Sequence, residues 1–356
     1  MAFHLVEGSE LTTIADAIRE KTGSSESLVF PTDFIATLRQ HRNIINKLDD
    51  FIMGGQINGA YENSSVTRLK ENAFMDCSQL TGVSFPACTQ IGEGAFMSCT
   101  ELMSISFPAC TEIATRAFYM CSKLSSASFP VCTSIGSYIF YSCSQLTSID
   151  FPMCVSIQEG AFYSCSQLIS MNFPSCTNIG TRAFQSCRQL TSAIFPMCTQ
   201  IGSGAFSECS QLTTLSFPMC TQIGSGAFMR CSALSDISFS VCTSISSDAF
   251  YTCSGLQTVS FPECTYVGAR AFYGCSQLTL ISLPMCTFIG YYAFYACDNL
   301  ASVYLLGSTV VSLNGSIFSN LSSDFAVYVP QSLAETYKTA SNWSTYSSHI
   351  IGFGGE

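Results

Sequence analysis

Cysteine recurs at every eleventh residue through most of this chain, from Cys77, Cys88, Cys99 and Cys110 without a break to Cys297, and this accounts for all 21 cysteines. Two interleaved series each step by 22 residues, one from Cys77 to Cys297 and the other from Cys88 to Cys286. A period of this length marks a unit that cannot bury its apolar face alone and must stack on its neighbours. The spacing therefore predicts a solenoid with one core running along its length.

Within one unit, "LTGVSFPAC" (residues 80–88) alternates Val83 and Phe85 with the small Gly82 and Ser84, the pattern of a short strand with one buried face. Pro86 follows and ends the ladder, since it has no N–H to donate. The proline recurs in most units, and Ser240 and Leu306 replace it. The second half, "TQIGEGAFMSC" (residues 89–99), adds Ile91, Ala95 and Phe96. Phenylalanine holds the Phe96 position from Phe74 to Phe294 in every unit. Burial of each such ring contributes about 1.5–3 kcal/mol, so the column reads as a spine. Glycine follows the isoleucine in most units, but Ala114, Gln158 and Ser246 stand there in others, so the site does not demand positive φ throughout.

The spacing L-x-x-V-x-F-x-x-C matches the leucine-rich repeat pattern. Together with the "GAF" half, the unit resembles the BspA-like, Treponema-type class of leucine-rich repeats. The resemblance implies a leucine-rich repeat solenoid of α/β repeat type, with a short strand in each 22-residue unit. Residues 55–330 would form about eleven or twelve units. It also implies a role in adhesion or recognition.

Both ends depart from the repeat, as the open apolar ends of a solenoid require. Residues 1–54 read as an N-terminal helical cap or attachment segment, with Leu11, Ile14, Ala15 and Ile18 on one helical face and a second helix from Pro31. Residues 331–356 read as a C-terminal helical cap, in which "SLAE" (residues 332–335) forms a capping box and the helix carries Leu333, Tyr337 and Trp343. These terminal segments are similar to those that accompany such repeats in phage and prophage tail-associated proteins, which implies attachment of a virion to a host cell.

A formal net charge of -10 and scattered basic residues (Arg116, Arg182, Arg230, Arg270) disfavour a phosphate-tracking surface, so no nucleic-acid partner is expected. No run is apolar enough to span a bilayer, and Glu7, Glu10 and Asp16 interrupt any secretory signal. Membrane insertion is thus not expected. The expectation is synthesis in the cytoplasm, with the virion or the cell surface as the final site.

The cysteines lack the close pairing of metal sites, so no metal and no cofactor is expected. Ladders of small, buried, reduced thiols fit the uniform gap, although copies one strand apart are near enough for a disulfide. His4, His41 and His349 lie outside the repeats and no catalytic motif occurs, so the chain reads as non-enzymatic. Asp150, Asp236 and Asp248 read as solvated positions. The outward strand positions are mostly serine, which offers few anchors for a partner.

The residue after the buried phenylalanine is more informative. It reads Tyr119, Tyr141 and Tyr163, then Gln185, Ser207 and Met229, then Tyr251, Tyr273 and Tyr295. Such a stripe of amphipathic rings suits contact with a protein or glycan on a cell surface. The competing reading is rings that only cover the solenoid edge, and the competing function is an intracellular protein–protein scaffold.

Overall fold

The structure, a computed structural model, describes residues 58–319, 321 and 324–354. The N-terminal helices expected within residues 1–54, with His4 and His41, lie outside the described residues.

Each coil carries two strands, not one. Twelve two-residue strands, from Arg68–Leu69 to Ser312–Leu313, form one continuous parallel sheet. Neighbours pair at a 22-residue offset, as Gln90 with Glu112 and Ile91 with Ile113. The strands of the leucine-rich pattern, such as Ser104–Ser106 and Ser148–Asp150, pair equally in register but fall into five shorter sheets. A tight turn at the proline joins the two strands, so Pro108 sits at a corner of the coil.

The α/β character expected of the repeat is not found, because the "GAF" half is built of turns. Two residues per coil take the left-handed conformation there, as Gly94 (φ 58°) and Ser98 (φ 61°) do. Between them the N–H groups alternate in direction. Met97 and Cys99 donate within the coil, to the carbonyls of Gly94 and Phe96, whereas Phe96 and Ser98 donate to Ala117 and Tyr119 of the next coil. The alternation meets every backbone demand and leaves no stretch in which a helix could propagate.

The core contains two phenylalanine columns. Phe96 and Phe118 stack at 5.1 Å and 3°, Phe85 and Phe107 at 5.5 Å and 15°, and the columns meet edge-on, as Phe96 meets Phe107 at 5.8 Å and 64°. Stacked and edge-to-face rings are the two arrangements favoured by the aromatic quadrupole. Leu283 and Leu305 replace phenylalanine in one column at the C-terminal end. All 21 cysteines are buried.

The glycine after the isoleucine has a packing reason. A Cβ on Gly202 would lie 2.5 Å from the backbone of Gly180 in the preceding coil, so this site is defined by close approach and not by φ.

The repeat ends by a change of register. The last pairings, Phe288 with Ser312 and Ser302 with Ala326, are offset by 24 residues, and the strand Ile350–Phe353 then closes the sheet against Ala326–Pro330. The expected capping box is not formed. Ser332 lies in a 3-10 turn (Gln331–Leu333), and the short helix Ala334–Thr339 has Leu333 at its N-cap with no side-chain hydrogen bond. Trp343 follows that helix instead of lying in it, just before a second 3-10 segment (Ser344–His349).

Candidate recognition surface

The column after the buried phenylalanine lies half-buried along one edge of the solenoid. Tyr119 stacks on Tyr141 at 4.7 Å and Tyr141 on Tyr163 at 4.8 Å, with planes within 7°. Six coils on, Tyr251 stacks on Tyr273 at 4.9 Å and Tyr273 on Tyr295 at 5.5 Å. The structure thus brings the six tyrosines together as two triplets and leaves Gln185, Ser207 and Met229 between them, with Ser207 buried. The in-register backbone sets the ring spacing, because each "AF" turns inward and directs the next side chain to the rim.

A second position widens each triplet. Tyr138 meets Tyr141 edge-on at 6.1 Å, and Tyr292 meets Tyr295 edge-on at 5.0 Å. Arg116 lies over the Tyr138 ring at 6.0 Å. A hydrogen bond to Glu159 is the main reason that the Tyr138 phenol titrates above its usual range.

Several basic groups in the repeats already hold acids one coil earlier. Lys123 meets Glu101 at 2.6 Å, Arg230 meets Glu208 at 3.5 Å, Arg270 meets Asp248 at 2.9 Å and Arg116 meets Glu93 at 3.7 Å. These pairs are mostly exposed and add little stability, but they leave few cations to attract an anion. Asp150 does more than face water: it accepts from Ser128 at 3.2 Å and from Asn172 at 2.8 Å, which joins three coils on the strand face. Asp236 likewise accepts from Thr258 and from Ser235.

The thiols are structural in two distinct ways. In one series Cys99 donates its S–H to the carbonyl of Phe74 in the preceding coil at 3.0 Å; in the other Cys88 donates to Gln90 two residues on at 3.2 Å. Burial pushes the thiols up, Cys154 to about 11 and Cys132 to about 12, so they remain protonated and unreactive at neutral pH. Among the described residues no group of three His, Cys, Asp or Glu side chains could hold a metal ion. His349 sits in the C-terminal cap, its Nδ1 3.0 Å from the carbonyl of Phe325.

Two further apolar features of the surface lie outside the tyrosine column. The residue after the corner proline is exposed as Val131, Met153, Met197, Met219 and Met285, a ridge visible in the 22-residue alignment but not singled out there. At the C-terminal end Tyr304 stacks on Tyr328 at 4.7 Å and Phe353 meets both edge-on. The two tyrosines are 24 residues apart, so the regular period conceals them.

A family model described as the BspA type leucine rich repeat region (6 copies) matches residues 67–191, 133–253 and 243–348. The chain belongs to this family. Among solved structures it is similar to a leucine-rich repeat protein from Bacteroides ovatus, at 21% identity over 83% of this chain and 92% of that one, with a TM-score of 0.53. It is also similar to the leucine rich repeat protein of T. pallidum, at 26% identity over 37% of this chain and 77% of that one, TM-score 0.31. A leucine rich cell surface protein from Faecalibacterium prausnitzii matches at 23% identity over 71% and 80%, TM-score 0.35. No curated protein matches the chain. Among the described residues no helix is long and apolar enough to cross a membrane.

Proposed function

We propose that this BspA-type leucine-rich repeat protein is a non-enzymatic recognition protein that attaches to a protein or glycan on a cell surface through its tyrosine column. The observation that carries the reading is the pair of stacked triplets, Tyr119–Tyr141–Tyr163 and Tyr251–Tyr273–Tyr295, held rigidly on one edge. Rings fixed by stacking lose little side-chain entropy on binding, and their outer edges and hydroxyls remain available to a partner. Repeat proteins commonly bind through surfaces that extend over many coils, as this column does. The terminal segments add the more specific reading of a phage tail component that engages the host, with the virion as its final site.

The test is binding of the labelled protein to intact bacterial and host cells, with a variant carrying Tyr251→Ala, Tyr273→Ala and Tyr295→Ala. The expected result is saturable binding by the parent protein and loss in the variant while its circular dichroism is retained. Absence of binding by the folded parent would favour the scaffold reading, with the methionine ridge as its contact.

A further inference from the structure

The edge-on tyrosine pair is duplicated. Tyr138 with Tyr141 and Tyr292 with Tyr295 occupy the same two positions of the repeat, 154 residues or seven coils apart. At the ~4.8 Å spacing of strands the two pairs lie about 34 Å apart along one edge. In the coils between them the first position holds Gly160, Arg182, Gly204, Gly226, Asp248 and Arg270, so the pair is not simply inherited by every coil.

Its backbone makes the retention costly. Tyr138 and Tyr292 both lie at φ 57°, in a left-handed conformation that Gly160, Gly204 and Gly226 adopt at the same position without penalty. A side chain there costs roughly 1–2 kcal/mol, as it also does for Arg182, Asp248 and Arg270 at φ 54–60° in the coils between, so the tyrosines are set apart by their ring pairing and not by the strain. Tyr292 is also 41% exposed, which is little burial to offset the strain.

We infer that the Tyr138–Tyr141 and Tyr292–Tyr295 pairs, which share two positions of the repeat though not all their neighbours, are two sites for one neutral, repeating glycan chain that lies along the solenoid edge and engages both at once. This deepens the recognition reading and rests on it. The chemistry follows from the surface: a ring edge and a ring face meeting at a corner suit the C–H faces of a sugar, and phenolic hydroxyls suit its hydroxyls. An anionic polymer would meet a chain of net charge -10 whose arginines at positions 116, 230 and 270 are already paired. A ligand that repeats along its length can present the same group to both sites, which a single protein epitope cannot.

Two-site engagement makes the second contact intramolecular, so affinity rises steeply once a chain spans the gap. The experiment uses neutral glycan released by hydrolysis from cells that bind the full-length protein, fractionated by size and titrated calorimetrically. Chains too short to span both pairs should bind weakly, and longer chains at least about a hundredfold more tightly. Tyr138→Gly and Tyr292→Gly should each return the long chains to short-chain affinity while leaving short-chain affinity at the intact pair and the circular dichroism unchanged, whereas a purely structural role would lower the affinity for short and long chains alike.

Equal affinity at all lengths, or a Tyr138→Gly variant that binds long chains normally, would overturn two-site engagement. Cell binding that is abolished by protease, survives periodate and is not competed by released glycan would overturn the glycan while leaving recognition intact. Failure of the parent protein to bind any cell would instead remove the recognition reading itself.

Discussion

The carbonyl of Val311 accepts the indole N–H of Trp343 at 2.7 Å, and the amide of the same residue donates to the hydroxyl of Tyr337 at 3.0 Å. The two rings pack edge-on at 5.1 Å over the last coil. Tyr346 completes the lid by accepting from Ile317 at 3.1 Å. Large apolar bodies thus close the open end of the core while their polar tips satisfy backbone groups that have no following coil to pair with.

Trp343→Phe keeps most of the bulk and orphans the Val311 carbonyl, so a loss of about 1–3 kcal/mol is expected. Trp343→Ala should cost about 3–5 kcal/mol by leaving a cavity as well. Urea denaturation should report both as lower midpoints, with hydrogen exchange accelerating first in residues 300–319. An unchanged midpoint for Trp343→Ala would show that the lid is dispensable.

The thiols predict alkaline instability. A thiol whose usual pKa is 9.0 is held at about 11 in Cys154, Cys242 and Cys286 and at about 12 in Cys132. Between pH 9 and those values the unfolded chain loses protons that the folded chain keeps, so stability falls as pH rises. Each such thiol contributes a slope of about 1.4 kcal/mol per pH unit in that window, and none below it. Thermal melts from pH 7 to 11 should therefore stay level to about pH 9 and then drop steeply. Thiol reagent at pH 7 should label the native protein slowly and the denatured protein at all 21 cysteines.

The backbone makes opposite demands at two nearby sites. Gly202→Ala places a Cβ 2.5 Å from the Gly180 backbone, and overpacking of this kind costs about 1–3 kcal/mol. Ser164 lies at φ 57°, so Ser164→Gly should release roughly 1–2 kcal/mol of strain. The added chain entropy of glycine offsets about half of that, for a net gain of about 0.5–1 kcal/mol. Calorimetric melting points moving in opposite directions would bear this out.

Phe195 stacks on Phe217 at 5.4 Å and meets Phe206 edge-on at 6.1 Å. Phe195→Ala should cost about 3–5 kcal/mol. Phe195→Leu should be far milder, since Leu283 and Leu305 already fill the same column. Equal destabilisation by the two would mean that stacking, and not volume, dominates this core.

The regular interior was legible because its cause is local and repeated. An apolar or small residue at the same point of every 22-residue unit has to face its copies once the units stack, so the cysteine ladders, the phenylalanine spine and the strand ending at proline could all be placed from spacing. Left-handed residues were harder to see, because Arg116, Tyr138 and Asp248 stand where glycine would have marked the conformation. The α/β expectation failed for the same reason: two turns per coil send alternate N–H groups to the next coil, and that demand is a property of stacked neighbours.

The sequence by itself determined a stacked repeat, its period, its buried columns and a stripe of tyrosines near the rim. Tertiary structure alone decided that each coil has two strands and that the shorter ones form the continuous sheet. It also decided that the tyrosines stack as two triplets with edge-on partners, and that Trp343, Tyr337 and Tyr346 close the C-terminal end. The physical reason is that a period reports which residues recur, whereas hydrogen-bond direction, ring orientation and the closure of an open end depend on atoms contributed by the neighbouring coil.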